Sequence, residues 1–162
     1  MSHNPILFLD FDGVLQIDKF DNAWRKGLEP LLHGYRDRDR FGFLFDAGCV
    51  KNLEQIIDTT GADVVISSSW RYLGVEVMQE MWEARALPGK VVGITHFDDE
   101  LLYMISRGKE IQDWLDIHKV TNYVIFDDVD DLLPHQKKRF IQTHYETGLT
   151  REQAAMAIQM LG

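Results

Sequence analysis

The sequence predicts an α/β protein built on a doubly wound parallel sheet with helices packed against it. Three observations lead there. Short apolar runs of strand length recur along the chain, and several end in polar residues. Between them lie stretches with helical spacing and recognisable caps. Runs such as Ile6-Leu7-Phe8-Leu9 are apolar throughout, as strands covered on both faces are. Strands alternating with helices form parallel sheets through crossover connections.

The first run ends in Asp10-Phe11-Asp12-Gly13-Val14-Leu15. Strand alternation would turn Asp10 and Asp12 to one side and Phe11 away. Two carboxylates so placed repel each other unless a cation or a shared proton neutralises them. A hard divalent ion such as Mg²⁺ is the simplest answer. Residues 16–45 then lack steady periodicity and hold Trp24, Arg25, Lys26 and the run Arg36-Asp37-Arg38-Asp39-Arg40. They predict a loop or flap with short hairpin pieces. Val50, Leu53, Ile56 and Ile57 fall at helical spacing, and Gly61 offers a stop. Val64-Val65-Ile66 predicts a second strand, ending in Ser67-Ser68-Ser69-Trp70-Arg71. Residues 74–87 are helix-prone and close at Pro88-Gly89; Val91 to Ile94 predicts a third strand. Ser106 is suited to cap a helix bearing Ile111, Trp114, Leu115 and His118 on one face. Tyr123 to Phe126 predicts a fourth strand, running into Asp127-Asp128, and Arg139 to Thr143 a fifth. Thr150 with Gln153 forms a capping-box signature for a last helix through Ala154, Ala157, Ile158 and Leu161.

The 162 residues fit one domain spanning 1–162, with 16–45 as an insertion, and an apolar share of 45% suffices for a core. No apolar run approaches the roughly 20 residues of a membrane span. The N-terminal run has no Lys- or Arg-bearing basic region before it and is broken at Asp10, unlike a secretory signal. Cys49 is the only cysteine, so no intrachain disulfide is expected, and a cytoplasmic setting fits. The net charge of −9 disfavours a non-specific polyanion binder. No membrane association is expected, and the chain reads as a monomer or weak oligomer.

If the strands are parallel, Asp10, Asp12, the serine cluster and Asp127/Asp128 meet at one edge of the sheet. Lys109 stands at the start of the helix before the fourth strand. This set suits phosphoryl transfer. Asp10 can attack phosphorus and form an aspartyl-phosphate. Asp12 can protonate the leaving oxygen and then deprotonate water. Mg²⁺, Lys109 and Ser68 can meet the charge on the equatorial oxygens. Asp10, Asp12 through its backbone carbonyl, and the Asp127/Asp128 pair offer an oxygen-rich metal shell. The sequence leaves open which of Asp127 and Asp128 ligates directly. Ser69, Trp24, Trp70 and Arg71 are the candidate substrate contacts.

Leu9-Asp10-Phe11-Asp12-Gly13-Val14-Leu15 resembles the first motif of the haloacid dehalogenase (HAD) superfamily of phosphatases. Val65-Ile66-Ser67-Ser68-Ser69 resembles its second, Lys109 its third and Phe126-Asp127-Asp128 its fourth. The order agrees, and the motifs span residues 10 to 128. Ser68-Ser69-Trp70-Arg71, Arg107-Gly108-Lys109-Glu110-Ile111 and Gly148-Leu149-Thr150 further resemble a small bacterial branch that includes domains linked to RNA repair. Within the serine cluster Ser68 matches the branch's hydroxyl, two residues before Trp70; Ser67 is the fallback. The resemblance implies a Rossmann-like three-layer α/β/α sandwich without a large cap domain, since neither insertion is long enough for one. An uncapped site admits large substrates, so a polynucleotide end is the narrower reading; small-metabolite and phosphoprotein phosphatases are the alternatives.

Each element also has a plainer explanation. An Asp-x-Asp after a strand is often a solvated turn, a serine triplet a helix cap, Lys109 a surface lysine and the 127–131 acids a solvated loop. Asp131 is the extra acid best placed to support the site. Trp114 and His118 read as core and boundary residues. Arg36, Arg38 and Arg40, interleaved with acids, read as a solvated face. Lys137-Lys138-Arg139 reads as surface. The four elements in order outweigh these explanations. Dehalogenase or phosphonatase chemistry is disfavoured because neither needs an acid at Asp12. A non-catalytic module gripping a phosphate or nucleic-acid end is disfavoured because every catalytic position is filled.

Overall fold

The computed structural model describes residues 4–17, 38–96 and 105–162. Five strands, β1 (Ile6–Leu9), β4 (Asp63–Ile66), β5 (Val91–Ile94), β6 (Tyr123–Asp127) and β7 (Phe140–Gln142), form one sheet in the order β5-β4-β1-β6-β7. All its pairings are parallel. A separate antiparallel hairpin, β2 (Arg38–Asp39) and β3 (Gly42–Phe43), stands where hairpin pieces were expected in the insertion. Trp24, Arg25, Lys26, Arg36 and Asp37 lie outside the described residues.

Strand alternation divides the core in two. Leu7 and Leu9 join the apolar faces of α1 (Ala47–Thr60), α2 (Val75–Ala84) and α4 (Arg151–Leu161). Ile6 and Phe8 face Ile111, Trp114 and Leu115 of α3 (Arg107–His118) on the other side. Helices thus cover both faces, which is why β1 is apolar throughout. Phe8 meets Trp114 and Tyr123 edge-on at 5.4 and 5.9 Å, and trimming it to alanine would cost about 3–5 kcal/mol. Trp114 and His118 stack at 3.8 Å, a boundary pair as the helical spacing suggested.

The caps follow their signals. Gly61 ends α1 in a left-handed conformation, φ 66°, and donates its N–H to Ile57. Ser106 accepts the Lys109 N–H at the start of α3. Thr150 and Gln153 form the reciprocal capping box of α4. The helix-prone stretch 74–87 is shorter than its composition predicts. A 3₁₀ turn, Ser69–Leu73, precedes it, and Gly74 at φ 93° separates the two.

Register fixes what meets at the sheet edge. Leu9 is level with Ile66 and with Phe126. One step on, Asp10, Ser67 and Asp127 therefore come level, tied by Asp10 N–H to Phe126 O (3.1 Å) and Ser67 N–H to Leu9 O (3.0 Å). The chain runs outward from β1 through β4 to β5, then returns through α3 to β6. β1 and β6 thus flank the point where strand order reverses, where open α/β sheets bind ligands. Among the described residues there is no cap domain over it.

Candidate active site

β1 stops at Leu9, so alternation does not place Asp12. The chain turns instead: the N–H groups of Val14, Leu15 and Gln16 all converge on Phe11 O. Phe11 is driven into the core, as expected, while Asp10 and Asp12 reach the edge by different routes. Asp10 is buried, and its Oδ1 accepts the Phe11 N–H at 2.8 Å. Asp12 stands at the solvent-facing mouth, where its Oδ2 accepts the Trp70 indole N–H at 3.3 Å.

One carboxylate oxygen from each of Asp10, Asp127 and Asp128 lies within 4.8 Å of the others. Gly13 makes room for this. A side-chain carbon there would lie 2.6 Å from the Asp128 carboxylate, and its φ of 79° already favours glycine. Thr143 holds the turn from the far side, its hydroxyl donating to Gly13 O at 2.7 Å and its N–H to Asp127 O at 3.0 Å. Burial, then the Asp127 carboxylate, pushes Asp10 well above the ordinary carboxylate range, although Arg107 and the Phe11 N–H pull it down. Asp127 is raised mainly by burial, against Arg107 and the Val129 N–H. Asp12 is raised by partial desolvation and by Asp128, against the Trp70 hydrogen bond. Three crowded carboxylates, two of them buried and with raised affinity for protons, are the donor set that a hard divalent cation neutralises, and all three offer oxygen. The Asp12 carboxylate is not among the three; it is engaged with Trp70.

The serines divide differently from the expectation. Ser68 Oγ accepts the Trp70 N–H at 3.3 Å and so caps the 3₁₀ turn. Ser67, level with Asp10, is fully buried, and its hydroxyl has no hydrogen-bond partner among the described residues. Of the two, Ser67 is the serine whose Oγ is unspent among the described residues. Ser69 is exposed at the start of the turn.

The cations also divide differently. Lys109 reaches along α3 to Asp113 and is more than half exposed. Arg107, two residues earlier, turns to the site instead. Its Nε lies 3.8 Å from Asp127 Oδ2, and its Nη1 is buried with no hydrogen-bond partner among the described residues. Two residues on a helix differ by roughly 200° in direction, so Arg107 and Lys109 cannot both face the sheet edge. Arg71, expected at the substrate, is buried. Its guanidinium donates to the carbonyls of Ser67 (3.4 Å) and Ser68 (2.8 Å), and Nη2 spans both Glu110 oxygens at 2.7 Å. It ties the serine turn to α3 rather than reaching outward. Asp131 supports the site through the protein: its Oδ2 accepts the Arg107 N–H at 3.0 Å.

Thr143 and Arg107 escaped the sequence reading. Thr143 carries no motif signal. Arg107 lay inside the quoted Arg107-Gly108-Lys109 segment, and helical phase was the signal that would have separated it from Lys109.

A comparison with curated proteins finds no match. A scan against protein families matches residues 6–154 to the HAD domain in Swiss Army Knife RNA repair proteins. The match takes in every strand of the sheet and all of the acids, serines and cations above. The five-stranded parallel sheet, the acid cluster and this match agree: the chain belongs to the family of HAD domains found in Swiss Army Knife RNA repair proteins.

Proposed function

We propose that the protein is a Mg²⁺-dependent phosphomonoesterase that works through an aspartyl-phosphate at Asp10 and acts on a phosphorylated nucleic-acid end. The observation that carries this reading is the meeting of Asp10, Asp127 and Asp128 within 4.8 Å, with the Arg107 guanidinium beside Asp127, at the strand-order reversal. Family membership supports hydrolase chemistry of the phosphatase type, and the RNA-repair setting supports a nucleic-acid end as substrate.

Asp10 is placed to attack. It is buried, held by the Phe11 N–H and level with the Ser67 hydroxyl. As the Asp10 oxygen bonds to phosphorus, the ester oxygen leaves and takes a proton from Asp12. Partial burial raises the proton affinity of Asp12, the direction a proton donor needs, and Trp70 fixes the orientation of the carboxylate. Asp12 then draws a proton from the water that releases phosphate. Arg107 Nη1 and Ser67 Oγ are unspent donors for the phosphoryl oxygens, where charge is spread in the transition state. Mg²⁺ held by Asp10, Asp127 and Asp128 would neutralise the crowded carboxylates and draw charge from the phosphoryl group.

Asp10→Asn should abolish hydrolysis of p-nitrophenyl phosphate while leaving the circular dichroism spectrum unchanged; wild-type turnover in that variant defeats the mechanism. A panel of 3′- and 5′-phosphorylated oligonucleotides, nucleotides, sugar phosphates and phosphopeptides tests the substrate. Preference for an oligonucleotide end is the expected result, and a flat profile removes that part of the reading.

A further inference from the structure

We propose that Gln136 is a positioning residue that acts through Arg107: the loop following β6, closed by the Gln136 side chain, sets the first turn of α3 so that the Arg107 guanidinium meets the phosphoryl group. The proposal rests on the reading of this edge as a phosphate site.

Gln136 is fully buried, and both ends of its amide are used. Nε2 donates to Gly108 O at 2.8 Å, and Oε1 accepts the Leu133 N–H at 3.0 Å. Gly108 permits the approach. A side-chain carbon there would lie 2.5 Å from Leu133 N, 2.7 Å from Gln136 Oε1 and 2.8 Å from Leu132 Cα. Asp131 grips the same turn from its other side, its Oδ2 accepting the Arg107 N–H (3.0 Å) and its carbonyl the Gly108 N–H (2.9 Å). The next two N–H groups, of Lys109 and Glu110, are taken by Ser106.

All four leading amides of α3 are therefore spent within the protein. A helix start often binds anions through these groups. Here they hold the helix to the loop, and the side chain of Arg107 is left as the donor, with Nη1 buried and unpartnered among the described residues. The same loop begins with Asp128, directly after Asp127 at the end of β6. One segment thus sets both the acid cluster and the cation that faces it, and a displacement near 1 Å would cost about 100-fold in rate.

A double-mutant cycle tests this. Gln136→Leu is made in the wild type and in Arg107→Ala, and kcat for p-nitrophenyl phosphate and the Kd of tungstate in the presence of Mg²⁺ are measured for each. The expected result is a loss of about tenfold or more with Arg107 present and of no more than about twofold without it. Equal losses in both backgrounds, or no loss in either, overturn the proposal. Should Gln136→Leu fail to fold, the exposed Asp131 replaces it in the cycle. Asp131→Ala should lose rate only when Arg107 is present, and Asp131→Asn, which keeps an acceptor for the Arg107 N–H, should restore it; Asn no better than Ala overturns the proposal. A wild type that binds tungstate without turnover defeats the phosphatase reading, while the cycle on Kd still decides the role of Gln136. A wild type that does neither defeats both.

Discussion

The two walls of the site are built from different materials. On the Asp10 side, Arg107, Gly108, Asp131 and Gln136 are joined by hydrogen bonds that all involve backbone groups, and Arg107 lies 3.8 Å from Asp127. On the Asp12 side the chain of contacts runs through side chains. Trp70 holds Asp12 and packs edge-on against Phe11 at 5.4 Å. Gly42 of the hairpin lies against the Trp70 ring, where a side-chain carbon would come within 3.3 Å. Arg85 fastens the hairpin to the end of α2 through two 2.8 Å bonds to Asp39 and one of 3.3 Å to Gly42 O, and it lies over the Phe45 ring. Arg40 adds an exposed ion pair with Glu80. Backbone-anchored groups keep their positions when a surface pair breaks, whereas exposed ion pairs contribute little. Asp10 and Arg107 therefore sit on the stiff side, and Asp12 sits on the side held by side-chain contacts.

The largest effect should come from the stiff side. Arg107→Ala should lower kcat about 10²–10³-fold, the cost of removing one preorganised donor. Lys109→Ala should stay within a few-fold, since Lys109 is spent on Asp113. Steady-state kinetics on the pair decides between them, and the reverse ranking would restore Lys109 as the site cation. Trp70→Phe keeps the ring packing but frees the Asp12 carboxylate, and a fall of about tenfold in kcat is expected with Tm little changed.

Stability should respond to pH with opposite sign on the two walls. Without metal, Asp10 and Asp127 hold protons above the range of an unfolded carboxylate. The folded state then binds more protons than the unfolded one, so metal-free stability falls as pH rises from about 4 through the raised values. Mg²⁺ binds the deprotonated acids, so its effect on Tm should grow from pH 5 to pH 8, by roughly 2–4 °C for each kcal/mol. A Tm gain independent of pH would deny the acid cluster the metal. Asp39 behaves oppositely. Its hydrogen bonds from Arg85 hold it down at about 2, so its contribution is complete above the unfolded value near 4 and is lost only as pH falls through about 2. The smallest effect should be Arg85→Ala, about 1–2 kcal/mol of hairpin attachment, seen as faster proteolytic nicking near residues 38–45 with Tm lowered by a few degrees.

Much of this was legible in the sequence, and the reasons are local. The strands show as apolar runs because both faces of the sheet are covered, and Gly61, Ser106, Thr150 and Gln153 act as caps through contacts within a few residues. Asp10 and the Asp127/Asp128 pair were readable because each sits where a strand ends. What the sequence does not show is the direction of side chains. Ser67 and Ser68 are adjacent, and which hydroxyl is free depends on the 3₁₀ turn that Ser68 caps. Arg107 and Lys109 are separated by helical phase, and Arg71 is drawn inward by Glu110, which is far from it in sequence. Asp12 reaches the edge by a turn around Phe11 O that no strand pattern encodes.

The single thiol gives the molecule a built-in clock for its own opening. Cys49 lies buried in α1, donating to Thr147 O at 3.6 Å beneath the segment that carries Gly148. That segment also accepts no side chain at Gly148, which lies against Val14 O and Cys49 itself, and Leu149 N–H bonds to Val14 O at 2.8 Å. The turn that presents Asp10 and Asp12 is thus roofed by the same contacts that shield the sulfur. The rate at which a thiol reagent reaches Cys49 under native conditions therefore times the lifting of this roof, with no label introduced and no second cysteine to confuse it.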